Sequence, residues 1–365
     1  EPLLQRLLAN DQPLEKWLFE RILPTESKVM DPPFIEEVMC VSFGEQLLLG
    51  TTTTSCFSLD PLPYVEKHPE HAGPRLVTGP SFYNSEGPTS AFWEKMPAFN
   101  HPLVAKSVCT HSAYLCSDEI LRSALDVSQR HGFAHQIHMH ETPSDKSIKR
   151  LHEKNLLHDR MVAGHCVHLD EEEMDMLAEC GVSVAHCPDS NFMLGSGLAD
   201  VVAMRKHGIN VAIGTDAPGA SHNLSMLTSM RLAAYIGKVK YGSDALTAHD
   251  VIYMATMGGA KAFKMEDEIG SIEVGKQADL VAIDLSPLSC QPVYNPASSV
   301  VYSDGARVES VWLSGKQVVK EGQLLCRDHS NAVSVIKKWT DRVREVVSFE
   351  IDNAPVEFSE TEQFK

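Results

Sequence analysis

No Cys-x-x-Cys spacing occurs among the nine cysteines of this 365-residue chain, which are Cys40, Cys56, Cys109, Cys116, Cys166, Cys180, Cys187, Cys290 and Cys326. An odd count without paired spacing excludes the thiolate zinc and redox motifs and gives no disulfide framework. Most of these cysteines lie in or beside apolar runs, and they read as buried, reduced thiols in a reducing compartment. No stretch approaches the roughly 20 apolar residues of a membrane span, and no charged-then-apolar signal segment opens the chain. Basic residues are outnumbered, 32 Lys and Arg against 49 Asp and Glu, giving a formal net charge of −17. No positive stripe gathers them, so nucleic acid is excluded as a partner. Repeats and low-complexity tracts are absent too. What remains, 43% hydrophobic and 22% charged residues, is the composition of a globular, cytoplasmic enzyme with one large core and an appendage.

Short apolar, β-branched runs alternate with amphipathic helical patterns from about residue 30 to 240. That rhythm belongs to β/α units around a parallel sheet. Strands are expected at 51–57, 75–78, 106–110, 134–138, 161–164, 182–187 and 211–215, with helices at 33–48, 118–131, 144–155, 171–180, 198–207 and 223–237. A closed barrel of this kind has eight strands. The chain opens on Glu1, and the expectation is a fragment that begins just past its first strand: an α/β fold, a TIM-type (β/α)8 barrel over residues 1–265. A further helix at 248–263 ends this region. Period-two alternation with Gly turns then follows, in "GSIEVGKQADLVAID" (270–284) and "ASSVVYSDGARVESVWLSGKQVVKEGQLL" (297–325). It reads as the C-terminal part of a small β-sandwich, over 266–330. A last helix at 332–347 and a loose polar tail at 352–365 complete the chain.

In a β/α barrel the C-terminal ends of the strands form the rim where chemistry occurs. His111 ends "KSVCTH", His138 ends "FAHQIH", His165 ends "MVAGH", His186 is near the end of "VSVAH", and Asp216 follows "NVAIGT". Polar residues at five strand ends converge on one central point. His138 and Asp216 supply an imidazole and a carboxylate, common ligands for a divalent ion such as Zn²⁺. Glu141, three residues past His138, leans over the same point and can shuttle protons. Asp216 and His165 are placed to polarise a water. Each has a plainer reading: a hydrogen-bonded rim histidine for His138, a dipole-stabilised helix start for Glu141, an N-cap for Asp216. His140 supports its loop, and Cys166 is a packing residue.

These motifs resemble the amidohydrolase superfamily, in the branch that holds triazine chlorohydrolases and 5-methylthioadenosine/S-adenosylhomocysteine deaminases. The resemblance runs from about Leu14 to Leu325 and rests on "THSAYLCSDE" (110–119), "IHMHET" (137–142), "GHCVHL" (164–169), "HCPDSNFMLGSG" (186–197), "GTDAP" (214–218) and "GSIEVGKQADLVAID". It implies His138 and Asp216 as metal ligands, Glu141 as the proton shuttle touching the purine ring, His165 beside the metal-bound hydroxide, and His111 as a substrate contact. Glu26, in "ILPTE", matches a carboxylate that binds ribose hydroxyls, though it also reads as an exposed N-cap neighbour. Asn191 and Ser190 fall where the family lines its pocket, and are equally ordinary turn residues.

The implied activity is hydrolytic deamination of an adenine-type nucleoside (methylthioadenosine, S-adenosylhomocysteine or adenosine) with one divalent metal, Zn²⁺ or else Fe²⁺ or Mn²⁺. Dimerisation is an implication of the resemblance alone. Three departures stand out: no His-x-His pair precedes "LPTE" (23–26), "APGASHN" (217–223) follows Asp216, and "VTGPSFYN" (77–84) carries no arginine. They leave open guanine or triazine hydrolysis, and a metal-free barrel scaffold.

Overall fold

A computed structural model describes residues 3–56, 62–68, 73–79, 81–82, 100–325 and 329–346. Cys326 and the tail expected at 352–365 lie outside them.

Eight strands make the larger sheet: β1 (Thr53–Cys56), β2 (Arg75–Thr78), β3 (Ser81–Phe82), β4 (Val104–Ser112), β5 (Ala134–Met139), β6 (Met161–His165), β7 (Ser183–His186) and β8 (Val211–Ile213). Its order is β1-β2-β4-β5-β6-β7-β8, with β3 also paired to β4, and every pairing is parallel. Successive parallel neighbours joined by helices give the curled, half-closed wall of a TIM-type barrel. The connecting helices are α1 (14–29), α2 (Pro32–Leu48), α3 (Leu62–Lys67), α4 (Asp118–His131), α5 (Ser147–Glu153), α6 (Glu171–Glu179), α7 (Pro188–Met193), α8 (Val201–Lys206), α9 (Pro218–Ser221), α10 (Met226–Tyr241) and α11 (248–262). Local chemistry starts and stops them. Ser117 caps α4 by accepting from Ile120 N, and Gly132 closes it in the left-handed region. Asp170 and Glu173 form a reciprocal capping box on α6.

Alternation along β5 separates packing from chemistry. Ile137 and Met139 join the main core with Leu121 and Leu125 of α4 and Ile148 and Leu151 of α5. Gln136 and His138 face the other way, and Gln136 Nε2 donates to Ser107 Oγ across the interior at 2.8 Å. Both faces of the sheet are buried, which is why these strands read as near-continuous apolar runs.

The C-terminal region forms a separate antiparallel sheet, ordered β12-β11-β10-β9: β9 (Leu280–Asp284), β10 (Arg307–Leu313), β11 (Lys316–Lys320) and β12 (Gln323–Leu324). Its Val311, Leu313, Val318 and Val319 pack on Leu47 of α2. One stretch of the expected strands is instead helical, α12 (Pro296–Tyr302). Asn295 caps it by accepting from Ser298 N at 3.1 Å, and Pro296 starts it, so capping chemistry overrides the β-branched "SSVV" run. The last helix, α13 (His329–Val346), docks Trp339 edge-on against Phe34 of α2 with ring centroids 5.0 Å apart.

A buried ion pair ties the two sheets together. Arg75 on β2 donates from Nε to Asp279 Oδ2 at 2.9 Å and from Nη2 to Ser314 Oγ at 3.1 Å, while Ser314 N donates to Asp279 Oδ1 at 2.7 Å. Both side chains are about 5% exposed or less. Removing one partner strands the other charge, so Arg75→Met should cost about 3–5 kcal/mol in a denaturant melt. The double change with Asp279→Leu should recover most of that; equal losses in both variants would contradict the account.

A second polar feature lies on the outer side of β5. His135 accepts or donates through Nδ1 to His158 Nε2 at 3.1 Å and through Nε2 to Thr110 Oγ1 at 2.8 Å. Burial holds His158 down at about 4 and His135 well below the ordinary imidazole range. The unfolded chain takes up these protons near pH 6.5, whereas the folded one does not. Their stabilising contribution is therefore complete above pH 6.5 and is lost as pH falls toward 4, by up to about 1.4 kcal/mol per pH unit for each group. His158→Leu should flatten the melting-temperature profile over that window, and an unchanged slope would count against the assignment.

Candidate active site

Parallel pairing brings the polar strand ends side by side: Ser112 of β4 pairs with His138 of β5, and Met139 of β5 with His165 of β6. The chain then turns sharply. His140, His165 and Asp216 have φ of 48°, 68° and 59°, in the left-handed region that ordinary residues avoid. Backbone bonds hold these turns: Cys166 N donates to Met139 O at 3.0 Å and Val167 N to His140 O at 2.9 Å. Strain at strand ends that carry functional groups is a recurrent mark of a site.

His165 Nε2 is the meeting point. It lies 3.0 Å from His138 Nδ1, 3.6 Å from Glu141 Oε2 and 3.9 Å from Asp216 Oδ2. On its far side, His165 Nδ1 is 2.9 Å from Asn191 Oδ1. The His111 ring stands 4.9 Å from that of His138, centroid to centroid. The close approach depends on Gly164, where a Cβ would sit 3.2 Å from His138 Nδ1. Asp216 is pinned by its own turn, accepting from Ala217 N at 2.5 Å.

Burial dominates the electrostatics. It pushes His111 down to about 4, with the neighbouring His165 adding to the effect, and holds His138 well below the ordinary range. Both rings are therefore neutral and able to offer a lone pair. Burial raises the Glu141 carboxyl, opposed by His165 and reinforced by Asp216. A raised carboxyl in a cleft is a group suited to carrying a proton at neutral pH.

A partly open cleft lies above this cluster. His111, His138, Glu141, His165 and Asp216 form its polar end, and Leu14, Trp17, Leu18 and Ile22 of α1 form an apolar wall. Glu26, also on α1, reaches the cleft and accepts from Gln5 Nε2 at 2.7 Å, and burial raises its carboxyl. Asn191 of α7 is drawn to His165 rather than to the cleft wall. His140 serves its loop, accepting at Nε2 from Ile148 N at 3.3 Å. Gln5, Tyr114 and the α1 wall were not legible as site residues; apolar helix positions look alike whether they face a core or a cleft. His186 is buried on β7, burial pushes it down to about 3, and neither ring nitrogen has a partner among the described residues. Cys166 and Cys187, unpaired thiols beside the cluster, are raised by burial and inert as nucleophiles.

Neutral imidazoles and a carboxylate are the donor types that zinc takes. His138 and Asp216 fit as part of such a centre, although no group of three or more His, Cys, Asp or Glu among the described residues is arranged as a complete metal cage.

Residues 3–318 match the model of the amidohydrolase family, and the chain belongs to that family. Among curated relatives, a 5-methylthioadenosine/S-adenosylhomocysteine deaminase of Teredinibacter turnerae is 33% identical, over 93% of this chain and 81% of its own. A 5'-deoxyadenosine deaminase of Methanopyrus kandleri is 34% identical, over 89% and 79% respectively. Among solved structures, an adenosine deaminase of Xanthomonas campestris with bound zinc superposes with a TM-score of 0.87 at 32% identity, covering 94% of this chain and 83% of that one.

The Gly164 contact generates a test. Gly164→Ala should press a methyl group on His138 Nδ1 and displace the ring, lowering zinc retained per chain after dialysis by about tenfold or more. Unchanged zinc content would show that His138 holds no metal or that the ring relaxes freely.

Proposed function

We propose that this protein deaminates adenine-type nucleosides by hydrolysis: water adds to the amino-bearing ring carbon, and ammonia leaves. The observation that carries the reading is the placement of two raised carboxyls in one cleft, Glu141 at the polar end and Glu26 against the apolar wall. The named activities of the relatives support it.

His138 and Asp216 would hold a divalent metal, zinc first among the candidates. Bound there, it supplies Lewis acidity and lowers the pKa of water. The chain's own residues do the rest. Glu141, whose carboxyl is raised by burial and so suited to carrying a proton, passes one to the ring nitrogen beside the reacting carbon, which makes that carbon electrophilic. Asp216 and His165 Nε2 orient the incoming water, take up its proton and pass it to the departing amino group, which leaves as ammonia, while Glu141 regains its proton from the new hydroxyl as the ring carbonyl forms. His111, neutral at pH 7, hydrogen-bonds substrate. The α1 wall excludes solvent from the base. Glu26 accepts from the ribose hydroxyls, which favours a nucleoside over a free base or a triazine. The unpaired buried thiols Cys166 and Cys187 support a reducing, cytoplasmic setting.

Zinc-loaded protein should release ammonia from adenosine, 5'-deoxyadenosine and 5-methylthioadenosine, at a kcat/KM about 100-fold or more above that for adenine or guanine. Glu26→Ala should erase most of that preference through KM. Glu141→Gln should lower kcat by about 10²–10⁴-fold without lowering the melting temperature. Turnover of triazines or guanine in preference to nucleosides, or none at all with metal bound, would overturn the reading.

A further inference from the structure

We propose that Asn191 is a positioning residue for His165, acting through its side-chain carbonyl rather than by touching substrate; its effect on turnover rests on the deaminase reading above, its effect on His165 does not. Asn191 is 1% exposed and His165 2%. Asn191 Oδ1 lies 2.9 Å from His165 Nδ1. An amide oxygen only accepts, so Nδ1 of His165 carries the proton. That bond fixes the ring plane and aims Nε2 at the point where His138, Glu141 and Asp216 meet.

The other half of the amide argues against a packing role. Asn191 Nδ2 is buried with no partner among the described residues. A side chain kept only to fill space there would be better apolar, because a buried, unpaired amide is unfavourable. The platform beneath it is firmly held. Asp189, two residues earlier on α7, accepts from Asn223 Nδ2 at 2.8 Å and from Ser229 Oγ at 2.6 Å. Ser196 N donates to the Asn191 backbone carbonyl at 2.8 Å. The carbonyl that orients His165 thus stands on a helix clamped to the segment after β8 and to α10.

Histidine-¹⁵N-labelled protein, with and without zinc, decides the matter by NMR. His165 should carry its proton on Nδ1 in the native chain. Asn191→Leu, of similar volume, should abolish that signature and lower kcat by about 10- to 100-fold with KM within about threefold. Asn191→Asp, which keeps the acceptor, should restore both. A native His165 protonated on Nε2 alone would overturn the proposal, and so would an Asn191→Leu enzyme with raised KM and unchanged kcat. If no nucleoside is turned over, the deaminase reading fails while the tautomer measurement still judges this one.

Discussion

The parallel ladder from β4 to β8 is the constraint on which the rest of the molecule depends. A parallel sheet sends every strand's carboxyl end to the same rim, so residues far apart in sequence, from His111 to Asp216, arrive together without any contact between them having to specify it. The helices pack on one face through Ile137, Met139, Ala163 and Val184. That packing leaves the other face to Gln136, His138 and their neighbours. Stability and chemistry are thereby divided between alternate residues of the same strand.

Much of this division was legible beforehand. All seven expected strands are present, with the short β3 in addition, and the strand-end histidines are recognisable because a polar residue that closes an apolar run has no packing reason to be there. Other features were illegible for identifiable reasons. The Val-Val pair in α12 has strand character, and only the Asn-Pro start marks it as helical. His158 is buried against His135, on the outer face of a strand, which the sequence does not distinguish from the inner one. Gln5 reaches Glu26 through a contact between segments 21 residues apart, which no local pattern encodes. The destination of Asn191 was hidden in the same way, since its motif says where the backbone turns and not where the amide points.

The site is held at a cost in stability that the surrounding packing offsets. Glu141 is buried with a raised carboxyl, and among the described residues neither ring nitrogen of His186 nor the amide nitrogen of Asn191 has a partner. Each is unfavourable by itself. Groups that break local packing rules and gather in one region are what a functional site is expected to show.

The left-handed backbone at His140, His165 and Asp216 also bears on how such a protein can change. Among residues with a Cβ, that region best tolerates Asn, Asp and His, the same types to which the proposed chemistry assigns metal binding, orientation and proton transfer. Most random substitutions at these positions would meet backbone strain before their chemistry could be tried by selection. The strand ends are therefore evolutionarily stiff, and new specificities have an easier path through the wall of α1 and Tyr114, where a changed side chain alters the shape of the cleft and leaves the reacting groups in place.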